Sequence, residues 1–197
     1  MIDGSESRKK DAGYPVDEMF LDRWSPRALS GEGVTDEELM TILEAARWAP
    51  SSYNNQPWRI LYARRDTEHW PAFFNLLVGG NQSWAKDAAA LLLFVSKETF
   101  DFNGQPYPTH SFDAGAAWEN LALQATMLGL VTHGMQGFDY ARARTELRIP
   151  QGFRVEAMIA VGRPGDPAKL PAQLREREAP SGRKSLSEIT CEGAFRF

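Results

Sequence analysis

The amino-acid sequence predicts a single layered domain of the α+β or α/β class. Segments whose apolar residues repeat at helical spacing alternate loosely with short apolar or alternating segments that are typical of strands. The chain has 197 residues, the ordinary size of one domain, and 43% of them are hydrophobic while 24% are charged. The sequence contains no internal repeat, so we expect one sheet with helices packed against it.

Local signals in the first third of the chain predict two helices, a loop and a strand. A short helix is expected over residues 17–22. A Thr-x-x-Glu capping box at residues 35–38 precedes apolar residues at helical spacing, which predicts a helix that stops before Pro50. Residues 49–57 are rich in Pro, Ser and Asn and predict a loop, whereas the alternating pattern over residues 58–62 predicts a strand.

The middle of the chain contains the strongest single prediction, a long helix. A helix over residues 67–77 is expected to end at the glycine pair 79–80, and the continuous apolar run 90–96 predicts a buried strand. Glycine and proline make residues 100–109 a loop. Residues 114–128 place apolar side chains along one helical face, and a glycine follows directly as the C-terminal cap.

The last third predicts a strand over residues 131–136, a helix over 140–147 and a strand over 154–162. From about residue 165 the chain is rich in proline and charge and forms an arm too polar for a core element. The arm is either disordered or wraps a partner subunit. The phenylalanines near the C-terminus favour the partner, because they would otherwise have nothing to pack against.

The domain organisation follows from these segments. Residues 1–15 are predicted to be a disordered leader, and residues 16–197 a single domain that includes the arm. The N-terminal residues lack the apolar segment of a secretory signal, and the longest apolar run is too short to cross a bilayer. Cys191 is the single cysteine, so no disulfide can form within the chain, and we expect a cytoplasmic protein.

Charge and missing motifs exclude several classes of function. The formal net charge of −4 argues against a nucleic-acid partner, which needs a basic surface, but it permits a small basic pocket. The histidines are far apart and show no metal-ligand spacing, so no metal is expected. Nucleophile elbows and glycine-rich nucleotide loops are absent from the sequence, which leaves hydrolases, triphosphate enzymes and Rossmann dehydrogenases without support.

Residues 23–27, Arg-Trp-Ser-Pro-Arg, are a candidate anion site. In an extended segment alternate side chains point the same way, so Arg23, Ser25 and Arg27 would form a cradle for a phosphate. Taken alone, the same residues also fit a solvated surface loop.

Two further segments could contact a ligand, and each has a purely structural alternative. Residues 51–56 offer hydroxyl and amide groups to a polar ligand, or they form an irregular turn whose side chains cap the backbone. Gly134 and Gly137 would let the backbone approach a flat ligand, or they mark the end of a strand. In the arm, Arg183 and Lys184 could add charge to an anion site, or they form a solvated pair.

Taken in order, these segments resemble the nitroreductase family of flavoproteins, from about residue 20 to about residue 189. The matching parts are Arg-x-Ser-x-Arg, the Ala-Pro-Ser-Ser-x-Asn-x-Gln-Pro-Trp loop, the Asp-Ala-Gly sequence that leads into the long helix with Asn120, and Gln-Gly-Phe at residues 136–138. The resemblance implies an α+β fold with a mixed central sheet flanked by helices. It also implies a homodimer with exchanged C-terminal arms, the long helix in its interface, and FMN between the subunits.

The resemblance assigns two groups of residues to the phosphate side of FMN. The phosphate and the pyrimidine edge would be held by the N-terminal group, Arg23, Ser25 and Arg27. The phosphate and ribityl chain would be reached from the other subunit by the loop group, Ser51, Ser52, Asn54 and Gln56.

The remaining implied contacts concern the ring and the C-terminal arm. Asn81 would face the pyrimidine edge, and the main chain of Gln136 and Gly137, after Gly134, would face flavin N5. Arg183, with Lys184, corresponds to a basic position at the phosphate.

The function implied by the resemblance is that of an FMN-dependent oxidoreductase. NAD(P)H would reduce the flavin at N5 and leave, and a nitroaromatic or a quinone would then take the electrons in a ping-pong cycle. No protein side chain is required as a nucleophile or base. The negative charge on reduced flavin would be stabilised by Arg27.

Two alternatives remain open at the level of sequence. A family member with another acceptor, such as a dehalogenase or a dehydrogenase, would share the same FMN motifs. A flavin-binding or sensing protein with little turnover would need a blocked flavin face, for which Trp84 and Tyr107 are candidates. The sequence also departs from the family pattern. Gly134 stands where many members have proline, and Trp84 lies near a position that is often basic.

Overall fold

A computed structural model describes residues 12–197 of the chain. One four-stranded sheet forms its centre, in the order β1-β2-β4-β3. Its strands are β1 (Trp58–Arg64), β2 (Ala90–Lys97), β3 (Val131–Met135) and β4 (Phe153–Gly162).

Helices precede, connect and follow these strands. They are α1 (Glu18–Asp22), α2 (Asp36–Arg47), α3 (Trp70–Phe74), α4 (Gly79–Ala85), α5 (His110–Met127), α6 (Tyr140–Glu146), α7 (Ala172–Arg175) and α8 (Leu186–Ile189). Short 3₁₀ turns cover Ser52–Asn54 and Pro167–Lys169. The predicted α+β class is therefore confirmed.

The sheet differs from the prediction in one respect, since within residues 12–197 it is antiparallel throughout rather than mixed. The connections explain the difference. Helices α3 and α4 return the chain to the end of the sheet where β1 stops, so that Ala90 at the start of β2 pairs with Arg64 at the end of β1. A parallel neighbour would instead require a crossover to the opposite end.

Strand β2 carries the core on both faces of the sheet, which explains its continuous apolar sequence. One face of β2, with Leu91 and Leu93, packs in a cluster with Phe73 and Trp84 beneath α3 and α4. The other face packs in a second cluster with residues of α2 and α5, namely Leu39, Ile42, Ala117 and Leu121. Both faces are covered, so the sheet is the rigid support on which the loops of the candidate site are mounted.

Most predicted elements are confirmed, but the segment around residue 79 was predicted wrongly. The expected helix over residues 67–77 is reduced to the short α3, and Gly79 begins α4 instead of ending a helix. The reason is a contact with a distant part of the chain. The N–H of Val78 donates to the carbonyl of Gly137 at 3.0 Å and fixes the start of α4 in a place that local sequence does not mark.

The arm after β4 is only partly attached to the body of its own chain. Leu170 is buried and Leu174 is half-buried, whereas residues 181–197 are exposed throughout. The exposed large apolar side chains of this segment are Leu186, Ile189, Phe195 and Phe197.

The prediction for the N-terminal leader falls mostly on residues 1–11, which lie outside the described part of the chain. Residues 12–15 form neither helix nor strand. None of the helices within residues 12–197 has the length and apolar character needed to span a membrane.

Candidate active site

The segment from Arg23 to Arg27 connects α1 to a buried stretch at residues 28–29. Arg23 leaves the helix in an extended conformation and donates from its guanidinium to the Ser25 hydroxyl at 3.4 Å. The Nε of Arg23 lies 3.5 Å from a carboxylate oxygen of Glu119 on α5. The structure therefore brings Arg23 and Ser25 side by side, as the alternating pattern predicts, and attaches them to the long helix.

Arg27 is held by a residue that the sequence analysis did not single out. The backbone N–H groups of Arg27 and Ala28 donate to one carboxylate oxygen of Glu178 at 2.6 and 2.7 Å. The other carboxylate oxygen lies 3.8 Å from the Arg27 guanidinium. Glu178 stands in a run of alternating Arg and Glu, so nothing in its local sequence distinguishes it from solvated neighbours.

His133 of β3 joins the arginine segment to the neighbouring strand. Its Nδ1 lies 3.1 Å from the carbonyl oxygen of Pro26, to which the protonated nitrogen donates. Burial lowers the pKa of His133, so the ring is neutral at pH 7. The ring also packs against the buried indole of Trp84, with 4.7 Å between centroids. The hydrogen bond from His133 places β3, the strand that carries Gly134, directly beside Pro26.

The turn after β3 packs closely against Asn81. The Asn81 side chain donates to the carbonyl of Gly137 at 3.0 Å. A Cβ atom at position 137 would lie 2.6 Å from the amide nitrogen of Asn81 and 3.1 Å from a methyl of Val78, so a side chain here would displace Asn81. Gly134 and Gln136 are exposed, and a Cβ at Gly134 would meet the ring of Trp118 at 3.4 Å.

Residues 51–56 are mounted on the N-terminal part of α5. The N–H of Ser52 donates to the buried carboxylate of Asp113 at 2.9 Å, and the hydroxyl of Tyr107 donates to the same oxygen. Burial, followed by the bond to Asp113, raises the pKa of Tyr107 to about 12. Asp113 entered the sequence analysis only as part of a matching motif, and the structure gives it the role of anchoring the loop.

The side chains of this loop divide between local and free roles. The Ser51 hydroxyl accepts from the N–H of Gln56 at 3.0 Å, and the Gln56 amide donates to the carbonyl of Asn54 at 3.0 Å. These bonds fit the alternative in which the loop is an irregular turn whose side chains cap the backbone. In the described part of the chain, by contrast, the hydroxyl of Ser52 and the side chain of Asn54 make no hydrogen bond and remain available to a ligand.

The loop also stores backbone strain. Tyr53 and Asn54 have φ of 52° and Gln56 has φ of 48°, in the left-handed region that non-glycine residues seldom adopt. Each such residue costs about 1 kcal/mol and persists only where its surroundings hold it. The anchoring bonds of the loop to α5 provide that support.

These residues form two groups, here called the basic half (residues 23–28, Asn81 and 134–137) and the loop half (residues 51–56). No hydrogen bond or ion pair between the two halves occurs among residues 12–197. The predicted arm residues Arg183 and Lys184 are exposed, and Arg183 donates only to neighbouring atoms of residues 181 and 182. Among the described residues, the two parts of the basic half are thus joined through His133 and Pro26, and no bond joins them to the loop half or to Arg183 and Lys184.

The residues present fit a ligand that combines an anionic group with a flat ring, as FMN does. The guanidinium groups of Arg23 and Arg27 are partly exposed and keep free donors. The main chain at Gly137, which carries no side chain, and the exposed Gln136 offer a surface that a ring can approach closely. The free donors of the loop half suit the polar ribityl chain and phosphate.

Comparison with known proteins decides the family. A family model described as the nitroreductase family matches residues 21–77 and 67–163. The chain belongs to the nitroreductase family. The resemblance stated from the motifs is thereby confirmed, and with it the class of enzyme, an oxidoreductase.

Solved structures agree with this assignment. An oxidoreductase containing FMN is 50% identical in sequence, with a TM-score of 0.90 over 94% of this chain and 95% of the other. A protein of Desulfovibrio desulfuricans solved in complex with FMN is 27% identical, with a TM-score of 0.72 over 94% of this chain and all of the other. The fold is thus shared with proteins that bind FMN.

Two curated relatives show the range of activities named in the family. A protein of Archaeoglobus fulgidus, provisionally named an NADH dehydrogenase/NAD(P)H nitroreductase, is 29% identical over 75% of this chain and 84% of its own length. An iodotyrosine deiodinase of Thermotoga neapolitana is 28% identical over 66% of this chain and 78% of its own length.

Proposed function

We propose that the protein is an FMN-dependent oxidoreductase that takes electrons from NAD(P)H and delivers them to a nitroaromatic or a quinone in a ping-pong cycle. The observation that carries the proposal is the contact of Gly137 with Asn81, where the chain keeps a backbone position free of side chain. The strand that leads to this turn also carries His133, which contacts Pro26 next to Arg27. Relatives solved with FMN support the choice of cofactor.

Bound FMN supplies the redox chemistry, and the residues of this chain bind, orient and tune it. Arg23 and Ser25 would hold the phosphate through charge-assisted hydrogen bonds. The guanidinium of Arg27 and the amide of Asn81 would bind the pyrimidine edge of the ring. The main chain of Gln136 and Gly137 would support the redox-active part of the ring.

The proposed assembly is a homodimer in which each flavin site takes its basic half from one chain and its loop half from the other. Exposed apolar side chains on α5 and α8 support this assembly, because Phe112 is 80% and Ile189 55% exposed in a single chain. The arm would cross to the partner, where the exposed Arg183 and Lys184 would reach the phosphate.

The visible spectrum of the purified protein tests the proposal directly. We expect a yellow protein, or one that becomes yellow on addition of FMN, whose absorbance bleaches when NADH or NADPH is added without oxygen. Replacement of Arg23 by Gln removes the phosphate cation, and we expect FMN binding to weaken by about tenfold or more. Arg148→Gln is the matched control, since Arg148 is exposed and distant in sequence from both halves. A colourless protein in the presence of excess FMN would disprove the proposal.

A second candidate function, reductive dehalogenation, is favoured by the similarity to the iodotyrosine deiodinase. The FMN-binding residues would be the same and the acceptor different. Reoxidation of the reduced protein with a panel of nitroaromatics, quinones and halogenated phenols separates the two candidates. Preferential turnover of halogenated phenols would favour the second.

The alternative of a flavin sensor with little turnover would require Trp84 or Tyr107 to block the flavin face. Trp84 and Tyr107 are 2% and 1% exposed and pack in the interior, Trp84 against His133 and Tyr107 against Asp113. Neither side chain is free to lie over a ring bound at the surface of the turn. A ring that neither side chain covers would be open to a substrate, which favours turnover.

A further inference from the structure

Glu178 is buried although it lies in the polar arm. Its side chain is 1% exposed, whereas the adjacent Arg177 and Ala179 are exposed. One carboxylate oxygen accepts from the backbone N–H groups of Arg27 and Ala28, residues that lie 151 and 150 positions away in sequence. The arm thus places one charged group beneath the arginine of the candidate site.

The contact of Glu178 with the backbone of Arg27 and Ala28 has the geometry of an anion-binding site. Two successive backbone N–H groups that point at one oxygen form a concavity that binds negative charge. A carboxylate removed from water is costly unless it is paired, which makes an accidental burial of this side chain unfavourable. The bonds of 2.6 and 2.7 Å are short, as expected for charge-assisted hydrogen bonds.

The second oxygen of Glu178 acts on the guanidinium by charge rather than by a hydrogen bond. It lies 3.8 Å from Nη1 of Arg27 and is buried without a hydrogen-bond partner among the described residues. The negative charge therefore acts on Arg27, while the N–H donors of its guanidinium stay free for a ligand.

Glu178 does not block the site. Its side chain is 1% exposed, whereas that of Arg27 is 25% exposed. A ligand that arrives from solvent meets the guanidinium first, with the carboxylate behind it. The nearby His133 is neutral because burial lowers its pKa, so it adds no charge to this pair.

We propose that Glu178 is a positioning residue that fixes the main chain of Arg27 and weakens the positive charge which Arg27 presents to the flavin. This inference rests on the proposed function. A cation at the pyrimidine edge favours the negative charge that the ring gains on reduction, and a buried carboxylate behind that cation opposes it. Glu178 would thus make bound FMN harder to reduce.

Redox titration of the FMN-loaded protein tests the charge. Glu178→Gln keeps an oxygen for the two N–H groups and removes the negative charge. We expect the ratio of reduced to oxidised FMN at a fixed solution potential to rise about tenfold, or about 30 mV for two electrons. Glu176→Gln removes the same charge from an exposed side chain on the same turn, and we expect no shift. An unchanged potential in Glu178→Gln, or an equal shift in both variants, would overturn the inference.

Hydrogen exchange tests the positioning without any cofactor. The amides of Arg27 and Ala28 should exchange slowly in the wild-type protein and in Glu178→Gln, and at least tenfold faster in Glu178→Ala, which lacks the acceptor. Slow exchange in Glu178→Ala would overturn the positioning role. A wild-type protein that binds no FMN would instead overturn the proposed function, so the two failures are distinguishable.

Discussion

The two halves of the candidate site are held by different means. The basic half is closed on itself, because His133 reaches Pro26, Asn81 reaches Gly137 and Glu178 reaches Arg27, all within one chain. The loop half is anchored to Asp113 and Tyr107, and its Asn55 side chain accepts from the N–H of Asp101. Both halves keep donors for a ligand, on the guanidinium groups of the basic half and on the side chain of Asn54 in the loop half, which makes no hydrogen bond among the described residues.

Helix α5 contacts both halves of the candidate site. The basic half contacts it at Glu119 and the loop half at Asp113. In an α-helix six residues correspond to about 9 Å along the axis and about 120° around it. The two halves therefore contact different sides of one helix, an arrangement that fits the proposed homodimer, in which unlike halves of two chains would meet.

The largest expected effect comes from adding a side chain at Gly137, where the backbone of the basic half lies close to Asn81. In Gly137→Ala the new Cβ would lie 2.6 Å from the Asn81 amide, and overpacking of this kind costs about 1–3 kcal/mol. We expect FMN affinity, measured by fluorescence titration, to fall by about 100-fold. Gly80→Ala is the control, since a Cβ there meets nothing within 4 Å. Equal affinity in the two variants would show that the turn does not contact the ring.

A mixed dimer tests whether the two halves come from different chains. Gly137→Ala damages the basic half, and Asp113→Asn damages the loop half by disturbing its anchor to Ser52 and Tyr107. Co-expressed with different tags, the two variants should form a heterodimer that binds one FMN, because one of its sites is assembled from the two undamaged halves. Both homodimers should be nearly empty. A heterodimer that is also empty would place both halves of each site in one chain.

The sequence predicted the parts of the fold that local interactions determine. The capping box at Thr35 is present, with Thr35 and Glu38 exchanging bonds of 2.7 and 3.1 Å between side chain and backbone. The alternating apolar residues along the strands and the long apolar run of β2 likewise predicted strands, because both patterns reflect burial on the faces of a sheet. The position of Arg23 beside Ser25 followed from the extended spacing of the motif.

The elements that sequence did not predict depend on contacts between distant residues. The start of α4 is set by the bond from Val78 to Gly137, and a glycine pair that usually ends a helix here begins one. The role of Glu178 depends on a contact across 151 positions, and one Glu among many charged arm residues gives no local sign of it. The sequence also could not separate the free side chain of Asn54 from the locally bonded one of Gln56, because both are amides in the same loop.

A smaller effect concerns the anchor of the loop half at alkaline pH. Tyr107 has its pKa raised from 10 to about 12 in the folded protein, so the protonated phenol stabilises the fold fully below pH 10. This stabilisation is lost as pH rises through 12, and two pKa units correspond to about 2–3 kcal/mol. The difference in free energy of unfolding between wild type and Tyr107→Phe should shrink by about 2 kcal/mol between pH 9 and pH 12 in urea titrations. If the difference in free energy of unfolding stays constant over this pH range, the protonated phenol of Tyr107 does not stabilise the anchor at Asp113.

The smallest effect concerns the link from β3 to the basic half. His133→Phe keeps a ring against Trp84 but removes the bond to Pro26, which should cost about 1 kcal/mol of stability and weaken FMN binding a few-fold. Because the pKa of His133 is lowered in the folded protein, its neutral form contributes stability that is present above pH 6.5 and is lost as pH falls.

Urea titrations between pH 8 and pH 5 should therefore show the wild type losing stability relative to His133→Phe. The control is His69→Phe, since the His69 side chain is 70% exposed. If both variants behave alike, the closure of the basic half does not depend on β3.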